Sequence, residues 1–140
     1  MSTSRRMQGR ADAEIVRLVF DLTENLQHRY EAVAAEHGLT RQQASLLGLL
    51  DEPRPMSTLA TLLQRDASNI TGLVDRLERQ DLVRRERDER DRRVTLVART
   101  ASGADLHARF ETALYGSGLP FSALSEDERA TLLSLLTRVV

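Results

Sequence analysis

A mainly α-helical chain with one small β-hairpin is predicted by three observations. Apolar residues recur at steps of three and four through most of the 140 residues, the period of helices that bury one face. Two short helical stretches, beginning near Ser57 and near Asp66, follow one another with only a few residues between. Directly after them the arginine-rich run Arg87-Asp88-Glu89-Arg90-Asp91-Arg92-Arg93 leads into the alternating Val94-Thr95-Leu96-Val97, the pattern of a hairpin tip and its second strand. A helix pair followed by a charged ribbon is the order of a winged helix-turn-helix.

The elements follow in turn. Residues 1–10 are polar and without period, and read as a loose N-terminal arm. From Ala11, Ile15, Val19, Leu22, Leu26, Tyr30 and Val33 trace a helix that Gly38 is placed to terminate. Thr40 with Gln43 forms a capping box for a second helix with Ala44, Leu47 and Leu50 on its inner side, and Pro53 and Pro55 end it. Residues 11–51 are therefore the N-terminal helices, and residues 52–100 the winged helix-turn-helix.

Within the latter, Ser57 is placed to cap a short helix bearing Leu59, Leu62 and Leu63. Asp66 is placed to cap the next, where Ile70, Leu73, Val74 and Leu77 fall at i, i+3, i+4 and i+7. Arg93–Val97 alternates more firmly than Leu82–Arg87, so the second strand of the hairpin is the clearer one. Thr100 caps a helix with Leu106, Phe110, Ala113 and Leu114, and Gly116, Gly118 and Pro120 interrupt it. A second capping box, Ser125–Glu128, opens the last helix, which carries Leu132, Leu133, Leu135, Leu136 and Val139. Residues 101–140 are read as C-terminal dimerisation helices, and the whole of 1–140 as one domain.

Composition narrows the chemistry. No apolar run nears the ~20 residues of a membrane span and no signal-peptide core opens the chain, so a cytoplasmic protein is expected. With no cysteine there is no disulfide, thiolate ligand or thiol sensor. His28, His37 and His107 make no close metal-ligand motif, and neither metal nor cofactor is expected. No nucleophile elbow, phosphate-cradling glycine loop or dinucleotide fingerprint is present, so no enzyme is expected. Net charge is -1, but unevenly spread. Residues 84–99 carry seven arginines against four acids, a net +3, whereas 101–140 carry three arginines against five acids, a net -2. A basic element on a mildly acidic body suits contact with phosphate on one face; a solvated charged hairpin has the same composition.

The helix after Asp66 buries Ile70, Leu73, Val74 and Leu77, so Ser68, Asn69, Thr71, Gly72, Asp75, Arg76 and Arg79 point away from the core. Asn69 suits adenine and Arg76 guanine, because each side chain makes two parallel hydrogen bonds to one base edge. An ordinary solvated helix face fits the same residues; its place between a short helix and a hairpin favours double-stranded DNA. Ser57, Ser68, Asn69, Thr71, Arg76, Arg90 and Arg92 are the candidate DNA contacts, with Arg90 at the wing apex suited to a narrow minor groove. Since acids alternate with arginines there, some arginines are expected to pair internally and set the wing's shape.

Asp91-Arg92-Arg93, the strand Val94–Val97, and Thr100-Ala101-Ser102-Gly103 together resemble the wing of the multiple-antibiotic-resistance-regulator (MarR) family: Asp-x-Arg, an alternating strand, then Leu-Thr-x-x-Gly. Asp75-Arg76-Leu77 matches too. The resemblance runs from about Ile15 to the C-terminus, with Arg99 standing where the family usually has leucine. It implies a salt bridge between Asp66 and Arg93 holding wing to helix, and a homodimer. It also implies a small phenolic or lipophilic anionic effector that binds beside the dimerisation helices and releases DNA. Apolar residues at both ends support the dimer independently: Ile15, Val16, Val19 and Phe20, and Leu132, Leu133, Leu136, Val139 and Val140. His28, Arg29 and Tyr30 are the candidate effector site; solvent-facing or packing roles fit them equally. The expected function is a dimeric regulator, by default a repressor, of a near-palindromic operator. The alternative is a winged-helix module without operator binding that mediates protein contacts or ligand binding, an idea that Gly72 in an exposed helix position favours.

Overall fold

In the computed structural model, residues 2–140 are described, with side chains from residue 6 onward. Helix α1 spans Ser2–Glu36, α2 Arg41–Gly48, α3 Met56–Leu62, α4 Ala67–Arg79, α5 Ala101–Tyr115 and α6 Glu126–Val139, with a 3-10 turn at Pro120–Ala123. Strands β1 (Arg54–Pro55), β2 (Val83–Arg87) and β3 (Thr95–Arg99) form an antiparallel sheet in the order β1-β3-β2. The loose arm expected for residues 1–10 is instead helical from Ser2. Arg6, Met7, Gln8, Arg10 and Ala11 are good helix formers with no proline among them, and a helix already nucleated downstream extends at little cost.

The core gathers residues from α1 to α5 and from the β2–β3 hairpin, while α6 buries none. Val33 and Ala34 of α1, Ala44, Leu46 and Leu47 of α2, Leu59 of α3, Ile70, Leu73, Val74 and Leu77 of α4, Val97 of β3, and Phe110 and Leu114 of α5 are buried. Leu62 departs from the expected stripe of α3. It is 50 % exposed, because Leu59 and Leu63 take the inward positions of so short a helix.

Helix ends follow the capping residues closely. Thr40 and Gln43 exchange both bonds of a capping box, as do Ser125 and Glu128. After α1, Leu39 N–H reaches Ala34 O and Gly38 N–H reaches Ala35 O, a Schellman turn with Gly38 at φ +71. The same paired bonds close α3 at Gln64 (φ 52) and α4 at Asp81 (φ 58), where non-glycine residues hold the left-handed position. Ser57 does not cap α3: Pro55 occupies that position, and Ser57 lies exposed inside the first turn. Asp66 stands at the N-cap of α4 but makes no side-chain capping bond.

Strand β2 pairs with β3 along its whole length, from Val83 opposite Arg99 to Arg87 opposite Thr95. Strand β3 thus begins and ends two residues beyond the firmly alternating Arg93–Val97, since Arg93 and Val94 belong to the turn. Strand β1 is the sheet's edge, where Pro55 lacks only a donor that would face outward. Thr100 joins sheet to α5: its N–H donates to Leu82 O, its hydroxyl donates to Asp81 O, and it accepts from Gly103 N–H.

Candidate nucleic-acid interface

The inward stripe of α4 fixes what its other side presents. Ser68, Asn69, Thr71, Arg76 and Arg79 are exposed, and Gly72 and Asp75 half-buried. At 100° per residue, Ser68, Gly72 and Arg79 lie opposite the core, Thr71 and Glu78 on one flank, Asn69 and Arg76 on the other. Two contacts orient these flanks. Asp75 and Glu78 hold Arg85 of β2, at 2.6 and 2.8 Å, so the wing lies on the Thr71 flank. Asn69 and Arg76 share a groove of about 330 Å³ with Thr40, Gln42 and Gln43, so the start of α2 lies on the other.

Thr71 spends its hydroxyl proton on Ala67 O (3.0 Å), leaving only acceptor capacity outward. Asn69 and Arg76 make no side-chain hydrogen bond or ion pair among the described residues, and Ser68 none either. No side chain caps the first N–H groups of α4, which face outward with the positive end of the helix dipole. Gly72 opens this surface further: a Cβ there would meet only Arg76 Nη2, at 4.0 Å.

In the wing the expected division of labour among arginines is visible. Arg84 bonds Glu86 and Arg99 O, Arg85 bonds Asp75 and Glu78, and Arg87 bonds Arg92 O. Asp91 accepts from both the backbone N–H (3.1 Å) and Nε (3.0 Å) of Arg93, which holds its carboxyl below the usual carboxylate range. Asp88 likewise accepts from Arg90 N–H, and Val94 N–H closes the turn on Asp91 O. The guanidinium groups of Arg90 and Arg92 make no ion pair among the described residues, and both are exposed.

The salt bridge expected between Asp66 and Arg93 is not formed. Arg93 is taken by Asp91 two residues away, a local closure that needs no long reach, and its side chain is 91 % exposed. The link from helix to wing is Arg85. Sequence reasoning missed it, although Asp75 and Glu78, three apart on one flank of α4, are a spacing that holds a single guanidinium from a neighbouring strand.

His28, Arg29 and Tyr30 do not converge either. Arg29 turns to the end of α5, where Nε donates to Leu114 O (3.1 Å) and Nη2 to Ala113 O (3.2 Å), with a further bond to Ser117 O. His28 is exposed. Tyr30 packs edge-on against Phe110, centroids 5.1 Å apart, with its hydroxyl 3.4 Å from Ser45 Oγ, and burial pushes its phenol pKa up. Consecutive helix positions point about 100° apart, so three neighbours cannot line one pocket. Tyr30 instead borders a groove of about 320 Å³ with Thr23, Leu26, Gln27, Arg41 and Ser45.

Arg99, at the family's leucine position, is half-buried and donates to His107 Nδ1 of α5 (2.9 Å), tying β3 to that helix. His107 Nε2 lies 3.8 Å from Glu111. Burial first, opposed by Glu111 and assisted by Arg99, lowers the His107 pKa, so its ring stays neutral and accepts.

A helix pair with an exposed polar second helix, flanked by a three-stranded wing, defines a winged-helix protein. The chain belongs to the MarR family. The family model matches residues 39–95, from the start of α2 to the start of β3. NicR of Pseudomonas putida, an HTH-type transcriptional repressor, is 30 % identical over 135 residues, covering 86 % of this chain and 85 % of NicR. BadR of Rhodopseudomonas palustris, a transcriptional activatory protein, is 41 % identical over 95 residues. That match covers 62 % of this chain, which spans only 54 % of BadR. Among solved structures, apo MarR of E. coli superposes with TM-score 0.76 at 26 % identity, covering 89 % of this chain and 94 % of that one. A mutant E. coli MarR complexed with operator DNA gives 0.72 at 25 % identity, over 91 % and 94 %.

Proposed function

We propose that this protein is a homodimeric, sequence-specific DNA-binding regulator of transcription. The observation that carries the reading is the exposed polar face of α4, where Ser68, Asn69 and Arg76 make no side-chain bond among the described residues, set beside a wing where the guanidinium groups of Arg90 and Arg92 make none either. A helix of this diameter fills the major groove, and a ribbon at its flank reaches the neighbouring minor groove. Asn69 and Arg76 are assigned to base edges, Ser57 and Ser68 to the backbone and nearby bases, and Thr71, left with acceptor capacity only, to a base amino group. Arg90 and Arg92 are assigned to the minor groove or its phosphates. The relatives named above are regulators of both signs, an activatory protein and a repressor. Repression is the mode proposed, because a small dimer seated on an operator blocks polymerase without further parts.

Release by a small phenolic or lipophilic anion is part of the same proposal, with its site moved to the groove that Tyr30 borders. Arg41 lines that groove and also the surface beside α4, so an anion held there acts on a residue next to the DNA-facing side. In the dimer two recognition helices stand about one duplex turn apart, ~34–36 Å, which sets a near-palindromic operator.

The test is selection of bound duplexes from a random DNA library at near-physiological salt. A near-palindrome with half-sites about one helical turn apart is the expected product. A folded, dimeric protein that enriches nothing above background would sink operator binding and favour a winged-helix module that binds proteins or ligands.

A further inference from the structure

We propose that a carboxylate-free strip on the α2 side of the recognition helix is a second contact for the DNA backbone, opposite the wing. It starts beside Arg76, the proposed base reader, and runs past Arg65 and Gln42 to Arg41. The inference rests on the DNA-binding reading and assigns the half of the interface that the wing leaves unfilled.

Two grooves, of about 330 and 290 Å³, adjoin along α4 and share Gln42, Arg65 and Leu73. Arg76 borders the first and Arg41 the second, and no carboxylate lines either one. In a chain with 21 acids against 20 basic residues, grooves lined by three arginines and no acid are a locally positive surface. Arg65 and Arg76 make no ion pair among the described residues, and the contact of Arg41 with Glu31 is long, at 3.6 Å, between half-exposed side chains. Guanidinium groups only donate, and with no carboxylate beside them the strip's charge favours an anion.

The backbone under Arg65 is fixed. Its N–H closes α3 on Ala60 O (3.0 Å), and Gln64 before it holds a left-handed φ of 52. That turn delivers Arg65 to the junction of α2, α3 and α4. The opposite flank of α4 carries Asp75 and Glu78, two carboxylates of which the single guanidinium of Arg85 offsets one charge, so that flank stays net negative. The two sides of α4 are thus electrostatically unlike, and only the α2 side offers free positive charge at the base of the helix.

Duplex geometry supplies the ligand. The major groove is ~12 Å wide and a helix with side chains ~10–12 Å across, so a seated helix has a phosphate strand along each flank. The wing lies on one flank of α4 and the strip on the other. A backbone contact of this kind positions the protein without reading sequence.

The test measures binding of the full chain to a selected duplex and to a scrambled one of equal length, across a series of potassium chloride concentrations. Arg65→Ala is expected to weaken both by the same factor, severalfold, and to flatten the slope of log K against log salt by about 0.9. Arg65→Lys should keep the wild-type slope, and Gln42→Glu, which puts a carboxylate into the strip, should weaken both duplexes. Arg109→Ala, whose arginine pairs with Asp105 on the exposed side of α5, serves as the variant that changes neither. Wild-type affinity and slope in folded Arg65→Ala and Gln42→Glu proteins would overturn the inference. So would a loss confined to the selected duplex, which would make Arg65 a reader of bases. A wild-type protein that binds neither duplex overturns the DNA-binding reading itself, and is seen before any variant is made.

Discussion

A guanidinium already held by its own chain must give up that bond before it can reach DNA, so the wing's arginines are not equivalent. Arg93 is closed onto Asp91, whereas the guanidinium groups of Arg90 and Arg92 hold no partner among the described residues. Arg90→Ala is therefore expected to lower duplex affinity while the oligomeric state is unchanged, measured by fluorescence anisotropy at several salt concentrations. Unchanged affinity throughout would remove the wing tip from the interface. Arg76→Ala should instead change base preference, by ~1–3 kcal/mol at one position of the site if its contact is bidentate. A loss spread evenly over all sequences would reassign Arg76 to the phosphates. His107 has a different consequence. Its folded pKa lies below the ordinary 6.5, so the unfolded chain takes up a proton first as pH falls through that value. Its contribution to stability is full above 6.5 and shrinks as pH drops toward the folded pKa. The melting temperature of wild type should fall over that window more than that of His107→Gln; parallel pH profiles would show that the ring does not titrate between the two states.

At the scale of elements, Gly103 is the position where the backbone has no slack. A Cβ there would lie 1.9 Å from Leu82 O, the same carbonyl that accepts from Thr100 N–H. The Thr-x-x-Gly spacing thus has a mechanical meaning: threonine caps α5 while glycine lets the helix start press against the end of the α4–β2 turn. Gly103→Ala should destabilise the fold by at least about 3 kcal/mol, at the upper end of overpacking, in urea denaturation. A loss below 1 kcal/mol would mean that α5 shifts freely. This element was legible in the sequence, as were the capping boxes at Thr40 and Ser125 and the inner stripe of α4, because each is written within a few neighbouring residues. What was not legible depends on partners distant in sequence. Strand β1 is two residues, one of them proline, and exists only because β3 lies alongside it. Arg29 sits 85 residues from Leu114, whose carbonyl it caps, so proximity to His28 and Tyr30 suggested a cluster that helix geometry forbids. The expected partner of Asp66 failed for the opposite reason, since a nearer acid captured Arg93.

The molecule as a whole leaves its two ends without cover. On α1, Ile15, Val16, Val19 and Phe20 are about half exposed or more, with Phe20 at 70 %. On α6, Leu133 is 68 % and Val139 80 % exposed. Phe121, Leu132, Leu133 and Leu136 line an apolar groove of about 210 Å³ along that helix. A 14-residue helix with no buried residue in its own protomer is marginal in water and needs a partner surface to remain helical. The same helix in a second copy is the partner proposed, since a two-fold contact pairs each apolar end with an identical one. Leu133→Glu combined with Leu136→Glu places two charges in that contact and should yield a monomer by analytical ultracentrifugation. Each half-site would then be bound singly, and affinity for a two-half-site operator should fall on the order of 100-fold or more, because the linked second binding event is lost. Affinity for an isolated half-site should not change, because α4 and the wing lie in the other lobe. A variant that remains dimeric would move the interface off α6. A monomer that keeps full operator affinity would separate dimerisation from DNA binding altogether.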